Sequence, residues 1–255
     1  VPGLVILDRH ETLAIGGTTA TCGSGLRTMA LLQQGADRGL GGMEFMAGIP
    51  GTVGAAIRGN AGAWGRAFGD LCQQVSCFLG GTVVRLRPAE LHFAYRSSVL
   101  RQKPGVVLSA VIQLARRPLE AIAREAADTV RRRNQRLPQE PSIGSIFKNI
   151  ELKTTAVDEP RLLRALDATA EEFREKTKYG KLPVGFLTER LGLRGTRIGG
   201  AVLSQLHGNI IINPDGKATA DDVAQLIALV KTRIRNLLGL QLEEEIQYVG
   251  FSEKR

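Results

Sequence analysis

Cysteine, histidine and aromatic residues are all scarce in this chain, and each scarcity removes a class of function. The three cysteines, Cys22, Cys72 and Cys77, are odd in number and show no CxxC pair. They form no metal-ligand spacing with the three histidines, His10, His92 and His207, which argues against a disulfide framework and against a structural or catalytic metal. Aromatics amount to 5% and no stretch interleaves them with arginine, so a base-stacking nucleic-acid platform has no support. Long apolar runs are also missing. No segment is long enough to span a bilayer, and the opening VPGLVILDRHE lacks the basic flank and long apolar stretch of a signal peptide. A cytoplasmic protein without membrane partners is the expectation.

What is present is an ordinary globular composition with a basic excess. The 255 residues are 43% hydrophobic, enough for one large domain or two modest ones. The balance of 34 Lys+Arg against 25 Asp+Glu gives a net charge of +9. That charge suits either nucleic acid or a small polyanionic ligand, and its clusters, Arg131-Arg132-Arg133 and Lys176 to Lys181, also read as solvated helix faces.

Periodicity outlines a mixed chain. Leu4 to Leu7 and Leu13 to Cys22 read as strands, the second ending in Gly-Ser-Gly, and Leu26 to Arg38 reads as a helix closed by Gly39. Cys72 to Leu79 and Thr82 to Leu86 flank Gly80-Gly81, a two-glycine hairpin signal. Val106 to Leu114 is a further strand, and Leu119 to Arg136 a basic amphipathic helix. In the second half, Pro160 to Lys176 reads as one helix, Val184 to Leu191 as a shorter one and Asp221 to Leu238 as a long amphipathic helix ended by Gly239. Ile210 to Ile212 and Leu242 to Val249 complete the strands. No internal repeat or low-complexity linker occurs.

The most unusual stretch is GMEFMAGIPGTVGAAIRGNAGAWG, with glycine at 42, 48, 51, 54, 59, 62 and 65. Such density permits close approach of a ligand to the backbone, and successive amides can cradle an anion. Pro50 presets a turn, and Thr52 can cap a helix beginning at Val53. Neither GxxxxGK[ST] nor a GxGxxG between strand and helix is matched, and a tightly packed structural loop accounts for the glycines equally well.

The stretch does not stand alone. EFMAGIPGTVGAAIRGNAGAWG, FAYRSSVL (Phe93 to Leu100), PSIGSIFKN (Pro141 to Asn149), RIGGAVLSQLHGNIIIN (Arg197 to Asn213) and LEEEIQYVG (Leu242 to Gly250) occur in this order over nearly the whole chain. Together they resemble the UDP-N-acetylenolpyruvoylglucosamine reductase family. The resemblance implies an NADPH-dependent, FAD-containing enzyme that reduces an enolpyruvyl ether to UDP-N-acetylmuramate for peptidoglycan synthesis, its partners being that UDP-sugar and NADPH and not nucleic acid; the oligomeric state is left open, with a monomer favoured.

The same resemblance assigns residues. Arg96 corresponds to the arginine of YR[DS]S, Ser145 to the proton-donating serine of GS[VIF]FKN, and Glu245 to the glutamate of LEPE[VI]. Glu245 is chosen over Glu243 and Glu244 because it immediately precedes Ile246. A fixed cation stabilises the substrate enolate and a placed hydroxyl protonates it, so these residue types suit the chemistry. Taken singly, Arg96 reads as a surface arginine, Ser145 as a turn residue and Glu245 as one of three acids on an edge strand. Asn149 of FKN and Tyr95 beside Arg96 are implied substrate contacts, whereas His207 is either another or a packed histidine near a strand start. For the flavin, the resemblance points to Ala47, Gly48, Ile49, Pro50, Gly51 and Thr52, to Asn60 and Ala61, and to Ile198 and Gly199.

The implied fold is α+β: residues 1–117 as part of an FAD-binding domain of the vanillyl-alcohol-oxidase type, 118–136 as a connecting helix, and 137–255 as a substrate-binding domain. Several positions depart from the family pattern. Members carry a GGGSN-type loop, contributing to the FAD diphosphate site, ahead of the position of Val1. Its absence from this sequence implies a piece of a longer product, a variant with altered flavin affinity, or a flavin-free relative that binds UDP-sugar alone. Glu151 to Lys181 reads as an inserted helical segment. Ile143, Val184 and Leu206 stand where alanine, alanine and lysine are usual, and Arg136 with Pro138 alters a Gln-Pro-Leu.

Overall fold

The computed structural model describes residues 6–251. Two compact units divide the chain between Arg133 and Asn134. Both mix helices with antiparallel sheet.

The first unit contains β1 (Leu13–Gly16), β2 (Thr19–Gly23), α1 (Thr28–Ala36), α2 (Val53–Gly59), β3 (Cys72–Leu79), β4 (Thr82–Leu86), β5 (Gly105–Gln113) and α3 (Leu119–Asn134). The strands form one sheet in the order β1-β2-β5-β3-β4, every neighbouring pair antiparallel. Leu13 to Cys22, expected as one strand, is instead a hairpin: Gly16 pairs with Thr19, and Gly17 has φ +60°. The adjacent glycines let the chain reverse where a side chain would be strained. Gly80 and Gly81 likewise close β3 to β4 with φ of +59° and +87°, the signs a type I′ hairpin requires.

One face of this sheet is buried by Ala20, Cys22, Val75, Cys77, Val107, Ala110 and Ile112, packed with Leu31 and Leu32 of α1 and Val53, Ala56 and Ile57 of α2. Val107 and Ala110 lie an odd number of residues apart yet share the buried face. A bulge reconciles them, since Ser76 pairs with Ser109 but Cys77 pairs with Val107. The bulged Leu108 offers its carbonyl to the Ser24 amide at 3.0 Å and to the Ser24 hydroxyl at 2.9 Å. Burial pushes the Cys22 and Cys72 thiols up to about 12, so neither is reactive at neutral pH.

The second unit contains β6 (Ser142–Ser145), α4 (Glu159–Leu166), α5 (Ala170–Thr177), α6 (Val184–Arg190), β7 (Arg197–Ile198), β8 (Ala201–Leu203), β9 (Ile210–Ile212) and α7 (Ala220–Leu238). Its sheet runs β6-β9-β8-β7, again antiparallel. Leu226, Ile227, Val230, Ile234 and Leu238 form the buried stripe of α7, at the spacing of one helix face. Thr219 and Asp222 form a capping box at its start, and Gly239 ends it with φ +72°.

Here too some expectations are corrected. The helix expected over Pro160 to Lys176 is two helices, because Asp167 turns left-handed (φ +46°) and Thr169 caps α5 by accepting from the Glu172 amide at 3.1 Å. The segment from Glu151 to Lys181 is a closed excursion: Ile150 pairs with Leu182 and Glu151 with Lys181, so α4 and α5 leave and return at one point. Leu242 to Val249 is not a regular strand. Only the Phe147–Glu244 bridge forms there, so the segment finds strand pairing for a few residues and then departs from it. Of the strand expected over Leu4 to Leu7, Leu4 and Val5 lie outside the described residues, and Ile6 and Leu7 are irregular and exposed. Among the described residues no helix is long and apolar enough to cross a membrane.

Candidate active site

In the first unit the glycine-rich stretch and the YRSS motif build a single substructure. Helix α2 begins as its sequence suggests, with Thr52 Oγ1 accepting from the Ala55 amide at 3.3 Å. It ends at Asn60, which adopts φ +44°, a conformation asparagine tolerates better than most residues. From there the Asn60 side chain is buried and engaged at both ends: Oδ1 accepts from the Gly69 amide and Nδ2 donates to the Ala94 carbonyl, each at 2.9 Å. Ser98, fully buried, donates its hydroxyl to the Arg58 carbonyl at 2.8 Å. These bonds tie the turn carrying Tyr95 and Arg96 to the C-terminal end of α2.

The turn itself is tight, with reciprocal 3.1 Å backbone bonds between Ala94 and Ser97. Arg96 sits at its tip with φ +53°, a sparsely populated backbone region for a long side chain. Its Nη1 donates to the Gly62 carbonyl at 2.9 Å, and its guanidinium lies 5.4 Å from the Tyr95 ring centroid. The glycine-rich segment therefore both shapes and holds the arginine. Neither the Asn60 side chain nor Ser98 stood out in this role in the sequence; Asn60 after Gly59 is a helix-end signal, but its partners are distant in the chain.

Packing explains several of the glycines. An added Cβ would lie 2.9 Å from Ser24 at Gly54, 2.2 Å from the Arg66 carbonyl at Gly62 and 2.7 Å from the Phe93 ring at Gly69, all inside van der Waals contact. Gly51 differs, with φ +135° and open space where its Cβ would be. The amides of Ala47 and Ile49 donate to Glu44 and Met46, and that of Gly48 lies 3.4 Å from Met29 Sδ. Pro50 has no donor, so Gly51 and Thr52 are the loop positions whose amides are not engaged among the described residues. Asn60 and Ala61 donate their amides to carbonyls of α2, so any ligand contact there uses other atoms. The loop thus has room for an anionic group at its open end, around Gly51 and Thr52.

In the second unit, Ser145 ends β6, opposite Ile210, and is half-buried. The next two residues anchor it, since Ile146 and Phe147 are fully buried in the core. Asn209, itself buried, clamps them by accepting from the Phe147 amide at 3.0 Å and donating to the Phe147 carbonyl at 2.8 Å, while its own carbonyl accepts from the Ile146 amide at 2.9 Å. Glu245 lies on the segment paired with this one, its amide donating to the Ile146 carbonyl at 2.7 Å. The fold therefore brings Ser145 and Glu245, a hundred residues apart in the chain, onto adjoining backbone. Asn209, missed in the sequence, holds the Ile146–Phe147 backbone that follows Ser145. Asn209→Ala leaves the buried Phe147 amide and carbonyl unpaired and is expected to cost about 2–4 kcal/mol, measured as the shift in urea unfolding of the chain.

The remaining candidates are more committed to structure. Asn149 Oδ1 accepts from the Val184 amide at 3.2 Å, capping α6. His207 Nδ1 accepts from the Asn209 amide at 3.2 Å, so the neutral ring carries its proton on Nε2. Burial, with a smaller push from Arg194, holds His207 below the ordinary imidazole range. Ile198 and Gly199 lie at the β7–β8 reversal, where Gly199 has φ +51° and an added Cβ would fall 2.4 Å from the Asp222 carboxyl. That glycine is explained by its contact with the α7 cap. No group of His, Cys, Asp and Glu among the described residues could hold a metal.

Known proteins resemble this chain over most of its length. The family model for "UDP-N-acetylenolpyruvoylglucosamine reductase, C-terminal domain" matches residues 135–249. A UDP-N-acetylenolpyruvoylglucosamine reductase of Solibacter usitatus is 36% identical over 250 residues, covering 97% of this chain and 77% of the relative. That of Bacillus subtilis is 35% identical over 245 residues, covering 94% and 70%. The crystal structure of the reductase (MurB) from Thermus caldophilus superposes with a TM-score of 0.68 at 32% identity, over 89% of this chain and 71% of that one. With that identity sustained along both units, the chain belongs to the UDP-N-acetylenolpyruvoylglucosamine reductase family.

Proposed function

We propose that the protein is an FAD-containing, NADPH-dependent oxidoreductase that converts UDP-N-acetylglucosamine enolpyruvate to UDP-N-acetylmuramate in the cytoplasm. The observation that carries this reading is Arg96, held in a strained conformation at the tip of a turn that the glycine-rich segment ties down from three sides. Strain of this kind is retained where a side chain must be presented in one orientation. On this reading the residues up to about Arg117 belong to the flavin-binding domain and those from about Leu137 to the substrate domain.

FAD, when bound, would supply the hydride, drawn from NADPH, that reduces the substrate's vinyl carbon. The chain's own residues handle the charge and the proton. Arg96 stabilises the negative charge that develops on the substrate carboxylate as its α-carbon becomes an enolate, a fixed cation being most effective where charge appears only in the transition state. Glu245 supports the enol form. Ser145 donates its hydroxyl proton to the enolate carbon, completing the reduction. Tyr95, the Asn149 amide and His207 Nε2–H would contact the UDP-sugar, Gly51 and Thr52 would offer amides to the flavin phosphates, and Ala47 to Pro50, Asn60, Ala61, Ile198 and Gly199 are the further residues that would hold the flavin. A basic chain (+9) suits the two nucleotide diphosphates it must bind.

The test is to load the chain with FAD, remove free flavin, and follow NADPH oxidation at fixed FAD occupancy. Oxidation that depends on the enolpyruvyl sugar, with UDP-N-acetylmuramate as product, is the expected result. A chain that binds flavin stoichiometrically yet shows no sugar-dependent oxidation would overturn the assignment.

A further inference from the structure

The Arg131-Arg132-Arg133 run reads from sequence as a solvated helix end, and two of its members behave so. Arg131 is exposed and pairs with Asp128 at 2.9 Å, and Arg132 lies 5.0 Å from the Trp64 ring centroid with its Nε bonded to the Asp128 carbonyl at 3.3 Å. Successive helical residues point about 100° apart, and the third turns the other way. The Arg133 side chain runs against the glycine-rich loop, its Cδ and Nε 3.4 Å and 3.5 Å from where a Gly48 side chain would begin. Its Nε is buried and makes no hydrogen bond among the described residues. Nor is it relieved electrostatically: burial, and then the nearby charge of Arg96, pull this guanidinium below its ordinary range. A buried donor without a partner, close to a second cation, is costly. An anion beside Arg133 would accept from this donor and offset the positive charge there.

We propose that Arg133 is an anion-binding residue of the site that holds Arg96, receiving beside Gly48 a phosphate or carboxylate group of the bound ligand. The inference deepens the functional reading above and rests on it for the choice of ligands. A guanidinium offers a planar fork that matches either group, so the source is the substrate carboxylate, its diphosphate or the flavin diphosphate.

Arg133→Gln is expected to weaken ligand binding by about 10-fold or more, measured by calorimetric titration of the FAD-loaded chain with UDP-N-acetylmuramate and with UDP, and by flavin fluorescence for FAD. Weaker binding of UDP-N-acetylmuramate alone assigns the carboxylate; weaker binding of both UDP ligands assigns their diphosphate; weaker binding of FAD assigns the cofactor. Arg133→Lys should fall between, and Arg131→Gln should match the wild type. The free Arg133→Gln protein should melt at the same temperature as wild type or higher, because a strained cation has been removed, which a merely structural arginine would not show. Pyrophosphate serves as a probe independent of the enzymatic reading: it should raise the melting temperature of the wild type and not of Arg133→Gln. Unchanged affinity for all three nucleotides, or equal stabilisation of both proteins by pyrophosphate where no nucleotide binds, overturns the proposal.

Discussion

Ser145→Ala is expected to slow reduction of the enolpyruvyl sugar by about 10²- to 10⁴-fold, the usual worth of a placed general acid, while reduction of bound flavin by NADPH proceeds at nearly the wild-type rate. The two half-reactions separate because only the second requires a proton on carbon. Stopped-flow absorbance at the flavin band reads both in one experiment, first with NADPH alone and then with the sugar added to reduced enzyme. The fold should survive, since Ser145 is half-buried and the core contacts of this segment come from Ile146 and Phe147. Equal loss in both half-reactions would point to damage to the segment rather than to proton transfer. Reduction in deuterated solvent offers a second readout, because a proton donor should impose a solvent isotope effect on the second half-reaction that the alanine variant alters.

Arg96→Gln carries the next largest expectation, a loss of about 10²- to 10³-fold in kcat, comparable to removal of a donor that meets developing negative charge. Its effect on KM should be smaller, because the interaction strengthens as the enolate forms. Arg96→Lys should recover little, since the 2.9 Å bond to the Gly62 carbonyl and the Tyr95 contact at 5.4 Å suit a planar guanidinium. Asn60→Ala provides an internal comparison. It removes the bond from Nδ2 to Ala94 and the acceptor of the Gly69 amide, loosening the turn while keeping Arg96. Lower kcat with retained flavin absorbance in that variant would mark Asn60 as a positioning residue; an unchanged kcat would confine it to stability.

How much of this was legible depends on the range of each interaction. Local signals carried well: Gly80-Gly81 turned the chain, Thr52 capped α2, and Gly239 ended α7, because each depends on a few consecutive residues. The misread elements turned on competition between neighbours. Leu13 to Cys22 had a strand-like composition, but Gly17 made reversal cheaper than extension. Pro160 to Lys176 kept helical spacing across Asp167, whose left-handed turn paired with the Thr169 cap divides it. Leu242 to Val249 had the composition of a strand and lacked a partner long enough to make one.

For the site, the resemblance carried by the ordered motifs named Arg96, Ser145 and Glu245 as candidates, which their residue types taken singly did not. The residues that hold those groups were invisible. Asn60, Ser98 and Asn209 act through bonds spanning 34, 40 and 62 positions, and nothing local distinguishes a polar side chain that will be buried from one that will be solvated. Arg133 shows the same limit from the other side, since an arginine run at a helix end looks uniform until packing turns one member inward. The sequence by itself determined the family and the elements with strong local signals, and it nominated the chemical types at the candidate site. Only the tertiary structure decided which glycines serve packing and which face open space, and which polar groups are spent on holding the site, because those outcomes depend on neighbours brought together by the fold.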